Sequence, residues 1–189
     1  KDTDMKPHVM ALRKANPDVV LLWVGPPHAA RIVGTATAMK LTPQWMSTST
    51  CSDFPLMYHI SKGLWKGVIC ATFGELPDSD IPLMQKYKND AYGKFAAKNE
   101  RWGLFYYAGM LFAEPLVEGL KRCGRDLTRE RLVKELEGLK NFKGIGPVVN
   151  YSFFDSKDPM SRQGTNQTFL VECLEGAQYK KLTDWITIK

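Results

Sequence analysis

The residues with the most evident capacity for chemistry lie together in Ser47-Thr48-Ser49-Thr50-Cys51-Ser52-Asp53. Such a stretch offers hydroxyls and backbone N–H groups suited to holding a carboxylate or another polar group. It could also be imagined, with His28 and Asp53, as a hydrolytic triad, although nothing in the spacing fixes that geometry. The structural alternative is that Ser52 or Asp53 caps the helix that follows, which is compatible with binding. No GxSxG, HExxH or phosphate-binding glycine loop accompanies these residues. Gly144-Ile145-Gly146 lacks the third glycine and preceding strand of a dinucleotide site. His8 and His59 fall on helix faces, and the four cysteines lack zinc-site or CxxC spacing. No metal site and no cofactor is expected.

The elements that must position the loop read as an α/β alternation. Val19 to Val24 is a near-continuous apolar run, ended by Gly25-Pro26-Pro27, which predicts a strand over 18–24 buried on both faces of a parallel sheet. Helices are predicted over 5–16 and 28–40, a second strand over 43–47, a helix over 54–64 and a third strand over 67–73. A strand ending in a tight turn that opens a helix lies where open α/β sheets bind small ligands. From Asp78 onward the pattern turns helical, over 80–97, 102–122 and 128–138, with Asp78, Ser79 and Asp80 as N-cap candidates and Gly124 as a helix stop. Extended structure returns at 144–153, and 167–171 with 179–188 form a closing hairpin about Gly176.

Composition narrows the function. At 189 residues, 44% hydrophobic and 24% charged, the chain is ordinary globular material with no run long enough to span a membrane. The net charge of +6 comes from helical faces where Lys and Arg interleave with Asp and Glu, which favours i,i+4 pairing over a phosphate track. Nucleic acid is therefore not an expected partner. Helix 102–122 is apolar on most sides and needs more covering surface than the visible sheet supplies.

An ordered series of segments completes the reading: Ala15-Asn16-Pro17-Asp18-Val19-Val20, Gln44-Trp45-Met46-Ser47, Gly63-Leu64-Trp65-Lys66-Gly67-Val68, Leu120 to Thr128, and Phe169 to Ile186. Together they resemble the carboxyl half of the branched-chain amino acid type of ABC-transporter substrate-binding protein. The resemblance implies an α/β, type I periplasmic binding protein fold, second part only: a parallel-sheet lobe plus helices of the other lobe. Residues 1–73 would be the later βα units of the second lobe, 77–163 a helical return to the first, and 166–189 a hairpin returning to the second. An N-terminal half of the same protein would be missing.

The same resemblance implies a ligand held between two lobes. It assigns ligand contacts to Gly25 and Pro26 after the first strand, and to Ser47, Ser49 and Thr50 after the second. Trp102, Phe105 and Tyr106 would contribute from the start of helix 102–122. Amino-acid binders of this kind often carry an acidic residue where this sequence has Ser49 and Thr50. The implied function is extracytoplasmic solute binding for an ABC importer, with an amino acid-like, carboxylate or aromatic-acid ligand and a membrane permease as partner. The location would be periplasmic or extracellular, with or without a membrane tether, and the precursor would carry a signal peptide. The protein would not be an enzyme. The alternatives are an α/β hydrolase using the Ser47–Asp53 loop and a ligand-sensing regulatory protein of the same fold.

Overall fold

A computed structural model describes residues 4–188 of the chain. The ends of the expected segments, residues 1–3 and 189, lie outside the described residues. The chain divides into two compact units, residues 1–72 with 169–184 and residues 73–168 with 185–189, and so passes from one to the other three times. The first is the sheet unit and the second the helical unit.

In the sheet unit, β1 (Val19–Leu22), β2 (Gln44–Ser47) and β3 (Ile69–Thr72) run parallel, with Val20 opposite Trp45 and Ser47 opposite Cys70. β4 (Gln167–Cys173) runs antiparallel to β3, and β5 (Tyr179–Lys181) antiparallel to β4. α1 (Lys6–Ala15) leads into β1, while α2 (Pro26–Ala38) connects β1 to β2 and α3 (Phe54–Ile60) lies between β2 and β3. Asn16 ends α1 in the left-handed conformation, its N–H donating to the Leu12 carbonyl, and Pro17 prevents continuation. Phe54, Met57, Trp65, Val68 and Phe169 are fully or almost fully buried and fill the core.

Two expectations are corrected here. β1 is an edge strand among the described residues and is not buried on both faces: Val19 is 51% exposed and Leu21 60%, while Val20 and Leu22 are buried. The helix predicted over 54–64 stops at Ile60, because Lys62 and Gly63 take positive φ and turn the chain toward Trp65.

Cys51, Cys70, Cys123 and Cys173 are buried free thiols. Burial, reinforced by the neighbouring Cys51, pushes the Cys70 thiol far above its ordinary range; burial and the flanking Glu172 and Glu175 push Cys173 up to about 12. The thiolate is the reactive form. Burial keeps the reagent from all four, so iodoacetamide should leave them unmodified in the native full-length protein and label them after denaturation; labelling of Cys70 at the rate of a free thiol would contradict this.

In the helical unit, α4 (Pro82–Lys86) passes into a wider π turn over Tyr87–Tyr92 and ends as α5 (Gly93–Phe95). Asp90 bridges Lys86 at 2.6 Å and Lys94 at 3.1 Å along this segment. No side chain caps α4; Ser79 instead accepts from the Ile81 N–H in the preceding turn. α6 (Leu104–Cys123) ends at Gly124, whose positive φ suits glycine, and α7 (Arg129–Glu137) is capped by Thr128. Met84, Leu104, Tyr107 and Ile145 form the core. The opposite stripe of α6 is more exposed: Phe105, Phe112, Leu116 and Leu120 recur at helical spacing and are all more than a third exposed, with Phe112 stacked on Phe73 at 5.4 Å.

The segment expected to be extended over 144–153 is irregular, tied by one bridge between Phe142 and Val149. The closing hairpin also divides. Residues 169–184 belong to the sheet unit, whereas β6 (Ile186–Thr187) pairs with Gln167 and Thr168 in the helical unit. There Trp185 Nε1 donates to Glu75 at 3.3 Å, and the Ile188 N–H donates to the Asn166 carbonyl.

Candidate ligand-binding site

The loops that follow β1 and β2 in the sheet unit are stitched together by their own polar groups. Ser47 Oγ, on a buried side chain, donates to the Leu22 carbonyl at 3.1 Å. Thr50 Oγ1 lies 2.8 Å from Thr48 Oγ1 and 3.4 Å from the Val24 carbonyl, which also accepts from Cys51 Sγ. Ser52 Oγ donates to the Ser49 carbonyl, and Asp53, buried, caps α3 by accepting the Leu56 N–H. The Ser49 hydroxyl alone among the five in this loop has no internal hydrogen bond among the described residues. None of these hydroxyls bonds to His28, so a Ser–His nucleophile pair is not assembled here.

Gly25 opens α2 in an extended conformation, and its carbonyl accepts from the His28 and Ala29 N–H groups. Pro26 and Pro27 then occupy the first helical turn without an N–H to donate. The structure thus brings the Gly25–Pro26 and Ser47–Thr50 segments together within one unit. Ser47 is tied up internally, while Ser49 and Thr50 stay half-buried and exposed.

In the helical unit, Trp102 and Tyr106 join one aromatic cluster. Trp102 stacks at a tilt on Tyr107 at 5.3 Å and on Tyr106 at 5.9 Å, and Tyr92 meets Tyr106 edge-on at 5.0 Å. The Trp102 indole N–H donates to the Pro77 carbonyl. Phe105 lies on the more exposed stripe of α6.

Sequence reasoning passed over the polar residues that organise this unit. Glu75 accepts the Tyr107 hydroxyl on its carbonyl and the Trp185 indole on its carboxylate, and its N–H donates to the Ile145 carbonyl. The Ile145 N–H in turn donates to Glu114 Oε2 at 3.0 Å. Glu114 is buried in the middle of α6, and burial holds its carboxyl above the usual carboxylate range, opposed by the Ile145 N–H and, more weakly, by the Tyr87 hydroxyl. A glutamate interrupting an apolar helix face, followed by Pro115, is the signal that could have marked it.

A native carboxyl with a raised pKa binds its proton more tightly than the unfolded chain does. Stability from this group therefore rises as pH falls from neutral through the native pKa, levelling off below the unfolded value. Glu114→Gln keeps an oxygen for Ile145 but cannot ionise. In melting series from pH 7 to 4 on the full-length protein, the variant should lose this rise and be the more stable of the two at pH 7. Parallel curves would show that burial does not raise the pKa of the Glu114 carboxyl.

The fold and these loops define a class: an α/β protein presenting polar loops at the carboxyl ends of parallel strands. A model of the periplasmic binding protein family matches residues 1–178, and the chain belongs to that family. Among solved structures it is similar to a valine-bound branched-chain amino acid ABC transporter protein from Thermus thermophilus, with 19% identity and a TM-score of 0.83 over 98% of this chain and 50% of that one. It is also similar to a fatty acid ABC transporter substrate-binding protein from Thermomonospora curvata, with 23% identity and a TM-score of 0.79 over 100% of this chain and 48% of that one. A leucine binding protein from Thermotoga maritima matches at 16% identity and a TM-score of 0.75, over 98% and 49%. No curated protein sequence gives a significant match. The chain has the type I periplasmic binding fold and spans about half the length of these structures.

Proposed function

We propose that the full-length protein is the extracytoplasmic solute-binding component of an ABC importer, taking a small organic ligand and docking to a membrane permease. The observation that carries this reading is the joining of the β1 and β2 loops through the Val24 carbonyl, which leaves Ser49 as an unengaged hydroxyl beside Thr50. These loops stand at the carboxyl ends of parallel strands, where open α/β sheets hold ligands. Membership of a binding-protein family and likeness to ABC-transporter binding proteins support it. Tyr106, in the aromatic cluster with Trp102, is a second candidate ligand residue. An N-terminal half outside this chain would lie against the open edge of β1 and over the exposed stripe of α6; export to the periplasm, by a signal peptide, belongs to the same reading.

The test is titration calorimetry of the full-length protein with a ligand found by thermal-shift screening. Ser49→Ala and Tyr106→Phe should each weaken binding by about 1 kcal/mol, the value of one ordinary hydrogen bond, with little change in melting temperature. Unchanged affinity in both would place the binding site elsewhere.

A further inference from the structure

The chain enters or leaves the helical unit at residues 73, 168 and 185, and these three places are tied together on that unit's own side. The last two are joined by β6, where Thr168 pairs with Ile186 and Gln167 with Thr187. Asn166 adds two bonds to Ile188: its carbonyl accepts the Ile188 N–H, and its side-chain amide donates to the Ile188 carbonyl. The first place is joined to the third by a side chain, Glu75 Oε1 accepting the Trp185 indole N–H at 3.3 Å.

The segment that carries Glu75 is also fastened to the start of α6. The Glu75 carbonyl accepts the Tyr107 hydroxyl, and the Pro77 carbonyl accepts the Trp102 indole N–H at 2.7 Å. A Cβ on Gly74 would fall 2.9 Å from Leu104 and 3.0 Å from Leu111, so the segment lies flush on the helix with no slack. Tyr106 stands beside both anchors, one residue before Tyr107 and 5.9 Å from Trp102.

We propose that Glu75 is a positioning residue of the binding protein: holding Trp185 on its side chain and Tyr107 on its main chain, it makes the crossings and the Tyr106 cluster one assembly, so that a solute seated at Tyr106 is felt at Trp185. This rests on the binding role proposed above. Contiguous packed and hydrogen-bonded groups are what carry such coupling. Glu75 itself touches no ligand. Its main-chain bonds to Tyr107 and Ile145 survive a change of side chain, so coupling can be separated from stability.

The test follows the indole N–H resonances of full-length protein labelled with 15N-tryptophan, Trp102 and Trp185 being assigned by Trp102→Phe and Trp185→Phe. Without solute, the Trp185 indole N–H should exchange with solvent at least fivefold faster in Glu75→Ala. In Glu75→Gln, whose amide oxygen still accepts it, the rate should be that of the unmodified protein. Leucine, 4-methylpentanoate, phenylalanine and 3-phenylpropanoate are then added as probes, within a wider panel of metabolites. A compound that binds should shift Trp102 and Trp185 along one saturation curve in the unmodified protein and in Glu75→Gln. In Glu75→Ala the Trp185 shift should fall by at least half while Trp102 still responds. Unchanged exchange in Glu75→Ala, or an undiminished Trp185 shift there, would overturn the proposal and leave the binding role standing. A panel in which nothing binds would remove the binding role, and the proposal with it.

Discussion

Gly144→Ala should destabilise the helical unit by about 2–4 kcal/mol, the sum of overpacking and a broken buried hydrogen bond. A Cβ built on Gly144 falls 1.7 Å from Glu114 Oε2 and 2.6 Å from its Cδ. The added methyl must displace either the loop or the carboxylate, and moving the carboxylate breaks its bond to the Ile145 N–H. Ile145 is fully buried and its carbonyl holds Glu75, so the loop has little freedom to retreat. The double variant Glu114→Ala/Gly144→Ala separates the causes, because substitutions in contact are not additive. In the Glu114→Ala background the glycine substitution should cost under about 1 kcal/mol, since the obstructing atoms are gone. Urea unfolding of the four full-length proteins measures all of this, and additive costs would show that the close approach is not the cause.

Tyr107→Ala should be costlier still, at about 3–5 kcal/mol for a large buried aromatic. That is a large share of the roughly 5–15 kcal/mol that holds a domain together. Tyr107 is fully buried, packs on Trp102 at 5.3 Å and closes on Gly74, and its hydroxyl donates to the Glu75 carbonyl. Tyr107→Phe keeps the ring and loses the hydrogen bond to the Glu75 carbonyl, so about 1 kcal/mol is expected. The gap between the two variants measures the packing contribution. Denaturant unfolding monitored by tryptophan fluorescence would read it directly, and a Tyr107→Ala protein as stable as Tyr107→Phe would mean that the ring is not part of the core.

The parallel strands were legible in sequence because Val19–Leu22 and Ile69–Thr72 are apolar runs of strand length bounded by glycine and proline. The helical stretch after Asp78 was legible from its period. Edge status was not, since a two-face apolar run looks the same whether or not a neighbour stands beside it. The π turn at Tyr87–Tyr92 leaves no trace in hydrophobic spacing. At the candidate site, the Ser-rich loop and the Gly25-Pro26 turn were found, but not which hydroxyls remain available. Ser47 and Thr50 are engaged by carbonyls some 25 residues earlier in the chain, across a strand pairing that sequence does not display. Glu114 looked like a surface charge on a helix, and Gly144 like part of a failed nucleotide motif; each makes sense only beside the other.

The open flank of β1 bears on how such a chain behaves when separated from whatever normally lies beside it. A strand with Val19, Leu21 and Trp23 facing outward, and its outer row of amides unpaired within the described residues, is a template for another strand. A protease cut that freed this piece would leave a self-adhesive fragment, able to seed fibrils or to exchange strands between copies. The proposed N-terminal half, lying against β1, would keep that tendency silent, so the same apolar run that builds the sheet also sets the chain's aggregation hazard.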